Sequence, residues 1–330
     1  MNKDWEVTFF DVGQGDATDI RLPCGSHIFI DSGPSVGRGG SDGNALCEWL
    51  QMSGALVNVK YIFITHNHED HFGGLLTILQ MPNVRIEKIF LLEDAVYDDE
   101  SKRDFTLLVH LLTERDDIEV KTNPSPGVIY AEAGMRIALK HPTVELMDKP
   151  PRNPNVSSMV IALEKDSDPT VTCVLWCGDA KLASVSKVCL NACPTMMIGP
   201  HHGKPQEYKK SGDFRKQLSA IGPERTFLSF GRDNSHQHPC RDYIVGARLS
   251  GIKIYCSEVA KCCDLDCCES VFEGNGMLGI NANPNMVQCR GSMRLTFSED
   301  DMRGEDPFVE LFESAVTEKV HRPHCRDRVG

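Results

Sequence analysis

Runs of β-branched and aromatic residues, separated by turns that contain glycine or proline, open the chain. They predict three strands over residues 5–12, 17–22 and 26–31, joined as a meander. A short helix is predicted over residues 45–52, and a buried strand over residues 59–64. The first part of the chain therefore combines strands with helices.

Apolar, strand-like runs return in the rest of the chain, and a second sheet is predicted to begin at residues 134–139. Strands are predicted over residues 86–92, 134–139, 156–163, 170–176, 195–198, 226–228 and 293–297, and a helix over residues 105–113. A last helix opens at Asp306-Pro307, and we expect its apolar face to pack on the parent domain. That face consists of Phe308, Leu311, Phe312 and Val316. Two strand-rich halves with helices between them predict an α/β (α+β) fold, an αββα sandwich of two mixed sheets flanked by helices.

Length and composition are those of a globular protein. The chain has 330 residues, of which 41% are hydrophobic, enough for a sizeable core. We expect one large domain over residues 1–298, with a cysteine-rich insertion at about 256–290, and a C-terminal helix and tail over residues 299–330. No apolar run is as long as the roughly 18 residues of a membrane span, and the first residues are not typical of a secretory signal, so a cytoplasmic location without membrane contact is expected.

The densest polar cluster is Thr-His-Asn-His-Glu-Asp-His-Phe-Gly-Gly at residues 65–74, between a predicted strand and an apolar helical run. His66 and His68 alternate on extended backbone, so both imidazoles can project to one side. Asp70 and His71 follow as the chain turns and can face a second ion. Such ligands favour Zn²⁺, Mn²⁺ or Fe²⁺ over Ca²⁺. A polar loop with incidental histidines is the alternative, but the glycines and the strand-loop-helix frame favour a metal site.

Two later strand ends repeat this arrangement. Trp176-Cys177-Gly178 delivers Asp179, which we predict to be the carboxylate that bridges both metals, since each of its oxygens can bind one ion. After residues 195–198, one of His201 and His202 should complete the second metal, while the other contacts substrate or donates a proton to a leaving group. His201 is the preferred ligand. A third polar loop contains Arg232, Asn234 and His238. These side chains either donate hydrogen bonds to an anionic group or belong to a solvated turn.

The motif H-x-H-x-D-H at residues 66–71 resembles the signature of the metallo-β-lactamase fold superfamily, whose members are mostly hydrolases that use one or two metal ions. Other elements follow in a fixed order: Asp11-Val12-Gly13-Gln14-Gly15-Asp16-Ala17, Asn155 with Ser157 or Ser158, Cys177-Gly178-Asp179, His201-His202-Gly203, and Asn234 with His238-Pro239. This ordered set resembles the ComEC-type branch, the soluble hydrolase domain at the end of a bacterial DNA-uptake membrane protein, which also occurs free-standing. The resemblance covers about residues 5–255.

The resemblance implies two divalent ions, Zn²⁺ or Mn²⁺. The implied ligands are His66, His68, Asp70, His71, Asp179 and His201. Residues implied to support the ligands or to contact substrate are Asp31, Asn155, Asn234, Asp11 and Gln14. By itself Asp31 could equally be a helix cap or turn residue, whereas in the superfamily an aspartate at this place supports the metal loop.

Two departures from the family pattern limit the resemblance. The chain has no transmembrane channel region, so a role in DNA uptake does not follow. Asn155 and Ser157 stand where many relatives have a third metal-binding histidine, and His141 is a less well placed substitute. A weakly held first metal would mildly favour Mn²⁺ over Zn²⁺.

The expected activity is that of a metallo-hydrolase, most simply a phosphodiesterase or nuclease in which a hydroxide held between two ions attacks phosphorus. Asp70 would orient this nucleophile, while His202 or His238 would stabilise the developing charge. The net charge of −12 disfavours long-range attraction to nucleic acid, although bound dications can offset it. A small nucleotide, phosphoester, carboxyl ester or lactone is therefore the alternative substrate, and a non-catalytic, metal-stabilised binding protein is the second alternative. The sequence does not identify a partner protein.

The chain has 14 cysteines, many of them late in the sequence. A disulfide framework is not expected in a chain of this size. Four thiolates could instead close a tetrahedral structural zinc site, with buried or reduced thiols as the alternative. The candidates are Cys256, Cys262, Cys267 and Cys289.

Overall fold

Two mixed β-sheets of seven strands each form the centre of the computed structural model. The structure describes residues 3–36, 44–93, 99–148, 153–204, 211–261, 263, 269–280, 286–320, 323 and 325. The strands of the first sheet are β1 (Trp5–Phe9), β2 (Ala17–Arg21), β3 (His27–Ser32), β4 (Val57–Phe63), β5 (Val84–Leu91), β6 (Glu119–Thr122) and β14 (Met293–Phe297). Those of the second are β7 (Gly127–Glu132), β8 (Met135–His141), β9 (Val160–Lys165), β10 (Thr172–Trp176), β11 (Met196–Ile198), β12 (Arg225–Leu228) and β13 (Lys253–Cys256).

Helices connect these strands. The α-helices are α1 (Ala45–Met52), α2 (Glu69–Ile78), α3 (Asp99–Thr113), α4 (Val144–Asp148), α5 (Pro154–Ser157), α6 (Leu182–Val188), α7 (Ser211–Ile221), α8 (Arg241–Leu249), α9 (Gly274–Met277) and α10 (Val309–Lys319), and a 3₁₀ turn spans Pro200–Gly203. Among the described residues, no helix combines the length and apolar composition that crossing a membrane requires.

Both sheets follow the same plan. The strand orders are β14-β1-β2-β3-β4-β5-β6 and β13-β12-β11-β10-β9-β8-β7. In the first sheet the antiparallel strands β14, β1, β2 and β3 continue into the parallel strands β4, β5 and β6. In the second, the antiparallel β7, β8, β9 and β10 continue into the parallel β11, β12 and β13. Because parallel strands end at the same edge, each sheet collects its functional loops at one edge.

The hydrophobic core lies in three layers. Between the sheets, the ring of Phe9 lies 5.6 Å from that of Phe227 and 6.5 Å from that of Trp176. On the outer face of the first sheet, α2 buries Phe72 and Leu75. Helices α6, α7 and α8 cover the outer face of the second sheet. The predicted αββα sandwich is thus confirmed.

Two glycines let α2 lie unusually close to the end of β3. A Cβ atom on Gly73 would stand 2.3 Å from the backbone nitrogen of Ser35, and one on Gly74 only 2.1 Å from the carbonyl oxygen of Ser32. Any larger side chain would therefore push the helix away from the sheet. This close approach fixes the start of α2, which carries part of the His-Asp cluster described below.

Several predicted boundaries need correction. The predicted bounds of α1 and β14 agree with the structure, but the first strand ends at Phe9 rather than at residue 12. The predicted strand over residues 156–163 is wrong at its start, because the Asn153 side chain accepts a hydrogen bond from the backbone of Asn155 and caps α5. Strand β9 begins only at Val160. The second sheet also begins earlier than predicted, with β7.

The C-terminal helix α10 packs on the body of the protein. Phe312 and Val316 are buried, and the Phe312 ring lies 5.6 Å from that of Tyr255 and 6.0 Å from that of Phe272. Leu311, predicted on the same face, is 57% exposed because its neighbour Phe312 occupies the buried side. The proposed division of the chain at residue 298 remains a prediction.

Candidate metal centre

Loops from both sheets meet around one carboxylate, that of Asp179. The loop between β4 and α2 supplies His66, His68, Asp70 and His71 from the first sheet. The second sheet supplies Asp179 after β10, and His201 and His202 after β11. The structure therefore brings together the residues that the sequence predicts as metal ligands.

The two oxygens of Asp179 face different imidazoles. Oδ2 lies 3.5 Å from His66 Nε2, 4.0 Å from His68 Nδ1 and 3.4 Å from His201 Nε2. Oδ1 lies 3.3 Å from His71 Nε2 and 3.7 Å from His202 Nε2. We call the first group the Oδ2 set and the second the Oδ1 set. Asp179 stands between them as a bridging carboxylate would.

Asp70 joins the Oδ1 set. Its Oδ2 lies 3.2 Å from His202 Nε2, and its Oδ1 lies 3.9 Å from His71 Nε2. His202 therefore accompanies the residues predicted for the second metal, whereas His201 accompanies those predicted for the first. This placement differs from the preference for His201 at the second metal and leaves neither histidine remote from the cluster.

The donor atoms fit divalent metal ions. His71 Nε2, His202 Nε2 and Asp179 Oδ1 are buried and have no hydrogen-bond partner, which is costly unless another group satisfies them. Ligand atoms bound at 2.0–2.2 Å to a tetrahedral zinc ion lie about 3.3 Å apart, close to the distances within each set. A bound ion would satisfy all three atoms.

The electrostatics of the cluster also suit cations. Burial lowers the pKa of His66 to about 3, so this imidazole is neutral, which is the form that binds a metal ion. Burial lowers the pKa of His71 as well, but the carboxylates of Asp31, Asp179 and Asp70 together raise it well above its usual value. The carboxylates thus create a strongly negative environment, in which a proton and a metal ion would compete for His71.

Asp31 supports the cluster from behind. Its carboxylate accepts hydrogen bonds from the Thr65 backbone nitrogen at 2.7 Å, the Thr65 hydroxyl at 2.8 Å and His71 Nδ1 at 2.8 Å. The last bond places the His71 proton on Nδ1 and leaves Nε2 to face Asp179. Asp31 has a φ of 55°, in the left-handed region, so the backbone is strained at this position.

Asp16 faces the other histidine of the Oδ1 set, at a distance longer than a hydrogen bond. Its Oδ1 lies 3.6 Å from His202 Nδ1. Burial lowers the pKa of His202, but Asp16, Asp70 and Asp179 outweigh it and raise the pKa to about 10. Sequence reasoning gave Asp16 no role, although it shares the Gly13–Gly15 turn with Gln14. Thr65 and Ser158 also had no assigned role. The Ser158 hydroxyl accepts a hydrogen bond from the Asp179 backbone nitrogen at 3.0 Å.

A strained turn directs the adjacent histidines to different sets. His201 has a φ of 51° and His202 a φ of 52°, so both adopt the left-handed conformation that few residues other than glycine occupy. The His201 backbone nitrogen donates to the Gly178 carbonyl at 2.9 Å, which ties this turn to the loop of Asp179. The two rings consequently lie 6.1 Å apart, centre to centre.

Three residues predicted to support the ligands or the chemistry also reach the cluster. Gln14 Nε2 lies 3.3 Å from Asp70 Oδ2 and 3.1 Å from His238 Nδ1. The His238 ring lies 5.0 Å from the His201 ring and 5.2 Å from the His202 ring. Asn155 Nδ2 donates to Asp179 Oδ2 at 3.2 Å.

Other predicted residues have different surroundings. The Asp11 backbone nitrogen donates to Ser292 Oγ at 2.8 Å, and burial together with Glu258 raises the pKa of the Asp11 carboxyl well above its usual value. His141 Nε2 donates to the Val156 carbonyl at 2.9 Å. Asn234 Nδ2 donates to two carbonyls of its own loop, so its amide shapes that loop. None of these contacts is with a candidate metal ligand.

The cysteine cluster is only partly described. Cys256 is buried at the end of β13, and the Cys289 backbone nitrogen donates to the Ser257 carbonyl at 2.9 Å, so the segments of Cys256 and Cys289 are adjacent. Cys262 and Cys267 lie outside the described residues. The structural zinc site stays a prediction.

Comparison with known proteins adds a family match. Residues 11–162 match the model of the metallo-beta-lactamase superfamily. No curated protein matches the chain. Similar solved structures include Igni18, a novel metallo hydrolase from the hyperthermophilic archaeon Ignicoccus hospitalis, with 18% identity, a TM-score of 0.41, and coverage of 67% of this chain and 81% of that one. A diphosphatase from the PhnP family has 12% identity, a TM-score of 0.42, and coverage of 75% and 94%. A long form of RNase Z from yeast has 11% identity, a TM-score of 0.38, and coverage of 71% and 38%.

Proposed function

We propose that this chain, whose residues 11–162 match the model of the metallo-beta-lactamase superfamily, is a metal-dependent hydrolase that cleaves phosphodiester bonds at a dinuclear metal site. The observation that carries the proposal is the division of ligands around Asp179. The Oδ2 set provides three imidazoles and the Oδ1 set provides two imidazoles and a second carboxylate. Each set suffices for one divalent ion.

Within this proposal every predicted ligand has a place. The first ion would be held by His66, His68, His201 and Asp179 Oδ2. The second would be held by Asp70, His71, His202 and Asp179 Oδ1. His201 thereby takes the place left by the third histidine that many relatives have before the strand leading to the bridging aspartate.

The chemistry then divides between the ions and the protein. Two bound divalent ions supply a water of lowered pKa and neutralise charge on a phosphoryl group. Asp31 orients the imidazole of His71 through a hydrogen bond, Asp16 faces that of His202 at 3.6 Å, and Asn155 holds the Asp179 carboxylate. His238 lies beside the cluster, where an imidazole can contact an oxygen of the substrate.

A phosphodiester suits the surroundings of the candidate ligands better than an apolar ester does. The groups next to the ligands are polar, the amides of Gln14 and Asn155 and the imidazole of His238, and an imidazole N–H hydrogen-bonds to an oxygen of an anion. The ComEC-type order of motifs supports the same substrate class. The net charge of −12 leaves both a small phosphodiester and nucleic acid as substrates for the experiment to separate.

The test is hydrolysis by metal-free protein refilled with Zn²⁺ or Mn²⁺. Substrates are bis-p-nitrophenyl phosphate, labelled single- and double-stranded DNA, and p-nitrophenyl acetate. We expect metal-dependent cleavage of the phosphodiester that is lost in His68→Ala, and cleavage of DNA would identify a nuclease. Cleavage of the acetate alone, or no cleavage despite two bound ions per chain, would overturn the phosphodiesterase proposal.

A further inference from the structure

Gln14 connects a metal ligand to the neighbouring imidazole. Its side-chain nitrogen Nε2 lies 3.3 Å from Asp70 Oδ2 and 3.1 Å from His238 Nδ1. Gln14 is buried, and so is its turn, which also donates from the Asp16 backbone nitrogen to the Asp70 carbonyl at 3.2 Å. A Cβ atom on Gly15 would stand 2.2 Å from that carbonyl oxygen, so the turn is fitted closely against Asp70.

These contacts determine which ring nitrogen of His238 carries the proton. An ionised Asp70 carboxylate only accepts hydrogen bonds, so the amide nitrogen of Gln14, and not its oxygen, must face it. The same amide nitrogen is only a donor, and therefore His238 Nδ1 must accept. The proton of a neutral His238 ring then lies on Nε2.

The rest of the His238 environment holds the residue in place. Asn234 fixes the backbone of His238 from both sides, since its Oδ1 accepts from the His238 nitrogen at 2.8 Å and its Nδ2 donates to the His238 carbonyl at 2.8 Å. Only 8% of the residue is exposed.

We propose that Gln14 is a positioning residue that holds His238 in its Nε2–H tautomer, so that His238 acts as a neutral hydrogen-bond donor to a phosphoryl oxygen and transfers no proton. This inference rests on the proposed hydrolysis and assigns the part of His238 in it. A neutral imidazole with Nδ1 occupied can stabilise developing negative charge, but it has no proton that it readily gives to a leaving group.

The direct test is nitrogen NMR of zinc-loaded protein labelled with ¹⁵N-histidine. The His238 signals are identified by their absence in His238→Gln. We expect a neutral ring in the wild type, with a pyridine-type Nδ1 and a protonated Nε2. In Gln14→Met, which keeps the length of the side chain but has no donor, the two tautomers should mix.

Gln217→Met is the matched control. Gln217 is half-buried, and its side chain accepts a hydrogen bond from Ser186 on the outer face of the second sheet, so the His238 signals should not change. An Nδ1–H tautomer or a charged ring in the wild type would overturn the proposal. So would an unchanged tautomer in Gln14→Met with its full zinc content. The wild-type spectrum alone decides the assignment if Gln14→Met fails to fold or to bind zinc.

Kinetics test the same idea with a different readout. Removing the donor in His238→Phe should lower kcat about a hundredfold, whereas His238→Gln keeps an N–H donor and should recover part of it. His238→Gln should also keep the pH profile of the wild type. Loss of the alkaline limb in His238→Gln would identify His238 as a general acid and overturn the proposal. Because the NMR measurement needs no turnover, it determines the tautomer of His238 even if the protein does not hydrolyse phosphodiesters.

Discussion

Asp179 lies between the two sets of candidate ligands. Burial raises the pKa of its carboxyl, but the imidazoles of His201, His66 and His71 outweigh burial and hold the pKa well below its usual range. The carboxylate is therefore ionised at any ordinary pH, with one oxygen for each set of ligands. A neutral imidazole could not take its place, because it offers a lone pair to one metal ion only.

Replacing Asp179 by alanine should accordingly remove an oxygen from both sets at once. We expect the metal content to fall below two ions per chain, and turnover to fall by more than about a hundredfold. Elemental analysis after dialysis and the phosphodiester assay measure the two effects. Asp300→Ala, at an exposed position, is the control and should leave both unchanged. Full metal content in Asp179→Ala would show that Asp179 is not the bridge.

Glu258 lies outside the cluster and gives a prediction about stability. It is 5% exposed, its Oε2 accepts from the Arg232 backbone nitrogen at 2.9 Å, and burial raises its pKa to about 7. Asp11, whose carboxyl is also buried, and Asp233 add negative charge nearby, while Arg232 opposes them. An unfolded glutamate has a pKa of about 4.3. Between these two values the folded state binds more protons than the unfolded state.

The free energy of unfolding should therefore decrease as the pH rises from about 4.3 to about 7, and stay reduced above that range. Glu258→Gln, which does not titrate, should lack this loss. We expect its stability relative to the wild type to be greater at pH 8 than at pH 5, by up to about 3 kcal/mol. Urea unfolding of both proteins at the two pH values measures this difference. An equal difference at the two pH values would contradict a raised pKa.

At the scale of elements, sequence patterns predicted best where local signals agreed. The strand β14 and the helix α1 have their predicted bounds, and α1 is capped by Asn44, whose side chain accepts from the backbone nitrogens of Leu46 and Cys47. The apolar run at residues 156–163 predicted the start of the strand wrongly, because Asn153 and Pro154 begin a helical turn that the hydrophobic pattern alone does not indicate.

The sequence predicted a set of candidate ligands that the structure brings together, but it did not predict how they divide around Asp179. The motifs at strand ends brought the seven ligand candidates together, but the partners of His201 and His202 depend on a left-handed turn that the sequence does not specify for two histidines. Asp16 could have been noticed from its position in the turn of Gln14. Its contact with His202 nevertheless joins residues far apart in the chain, and such a contact follows only from the packed structure.

A buried ion pair joins Arg290, just before β14, to Asp306, just before α10. Arg290 donates to both oxygens of Asp306 at 2.9 and 3.1 Å, and its guanidinium group lies 4.8 Å from the centre of the Phe272 ring. Asp306 also accepts from the Phe308 backbone nitrogen at 3.0 Å, just before the helix begins. Both charges are almost completely buried.

Removing one charge of this pair should leave the other buried without compensation. We expect Asp306→Ala to lower the free energy of unfolding by about 3 to 5 kcal/mol. Glu6→Gln, which breaks the exposed pair with Arg21, is the matched control and should change stability by less than about 1 kcal/mol. Urea unfolding measures both, and equal small effects would show that the buried pair does not anchor α10.

For the whole molecule, the position of the ligands couples metal binding to the packing of the two sheets. His66, His68, Asp70 and His71 follow a strand of the first sheet, whereas Asp179, His201 and His202 follow strands of the second. Ions bound between them would connect the two halves in the folded state, and the unfolded chain has no such arrangement of ligands. Metal binding should therefore add directly to the stability of the sandwich.

Chelation should reveal this contribution. With free Zn²⁺ at a thousandfold excess over Kd, each site contributes about 4 kcal/mol to the free energy of unfolding. We expect urea unfolding of the wild type to shift to clearly lower denaturant concentration when EDTA replaces Zn²⁺. In Asp179→Ala, which lacks the oxygen shared by both sets, the shift should be much smaller because less metal is bound. Equal stability of the wild type with Zn²⁺ and with EDTA would mean that the folded protein holds no metal at this centre, and the proposed hydrolysis would then have no chemical basis.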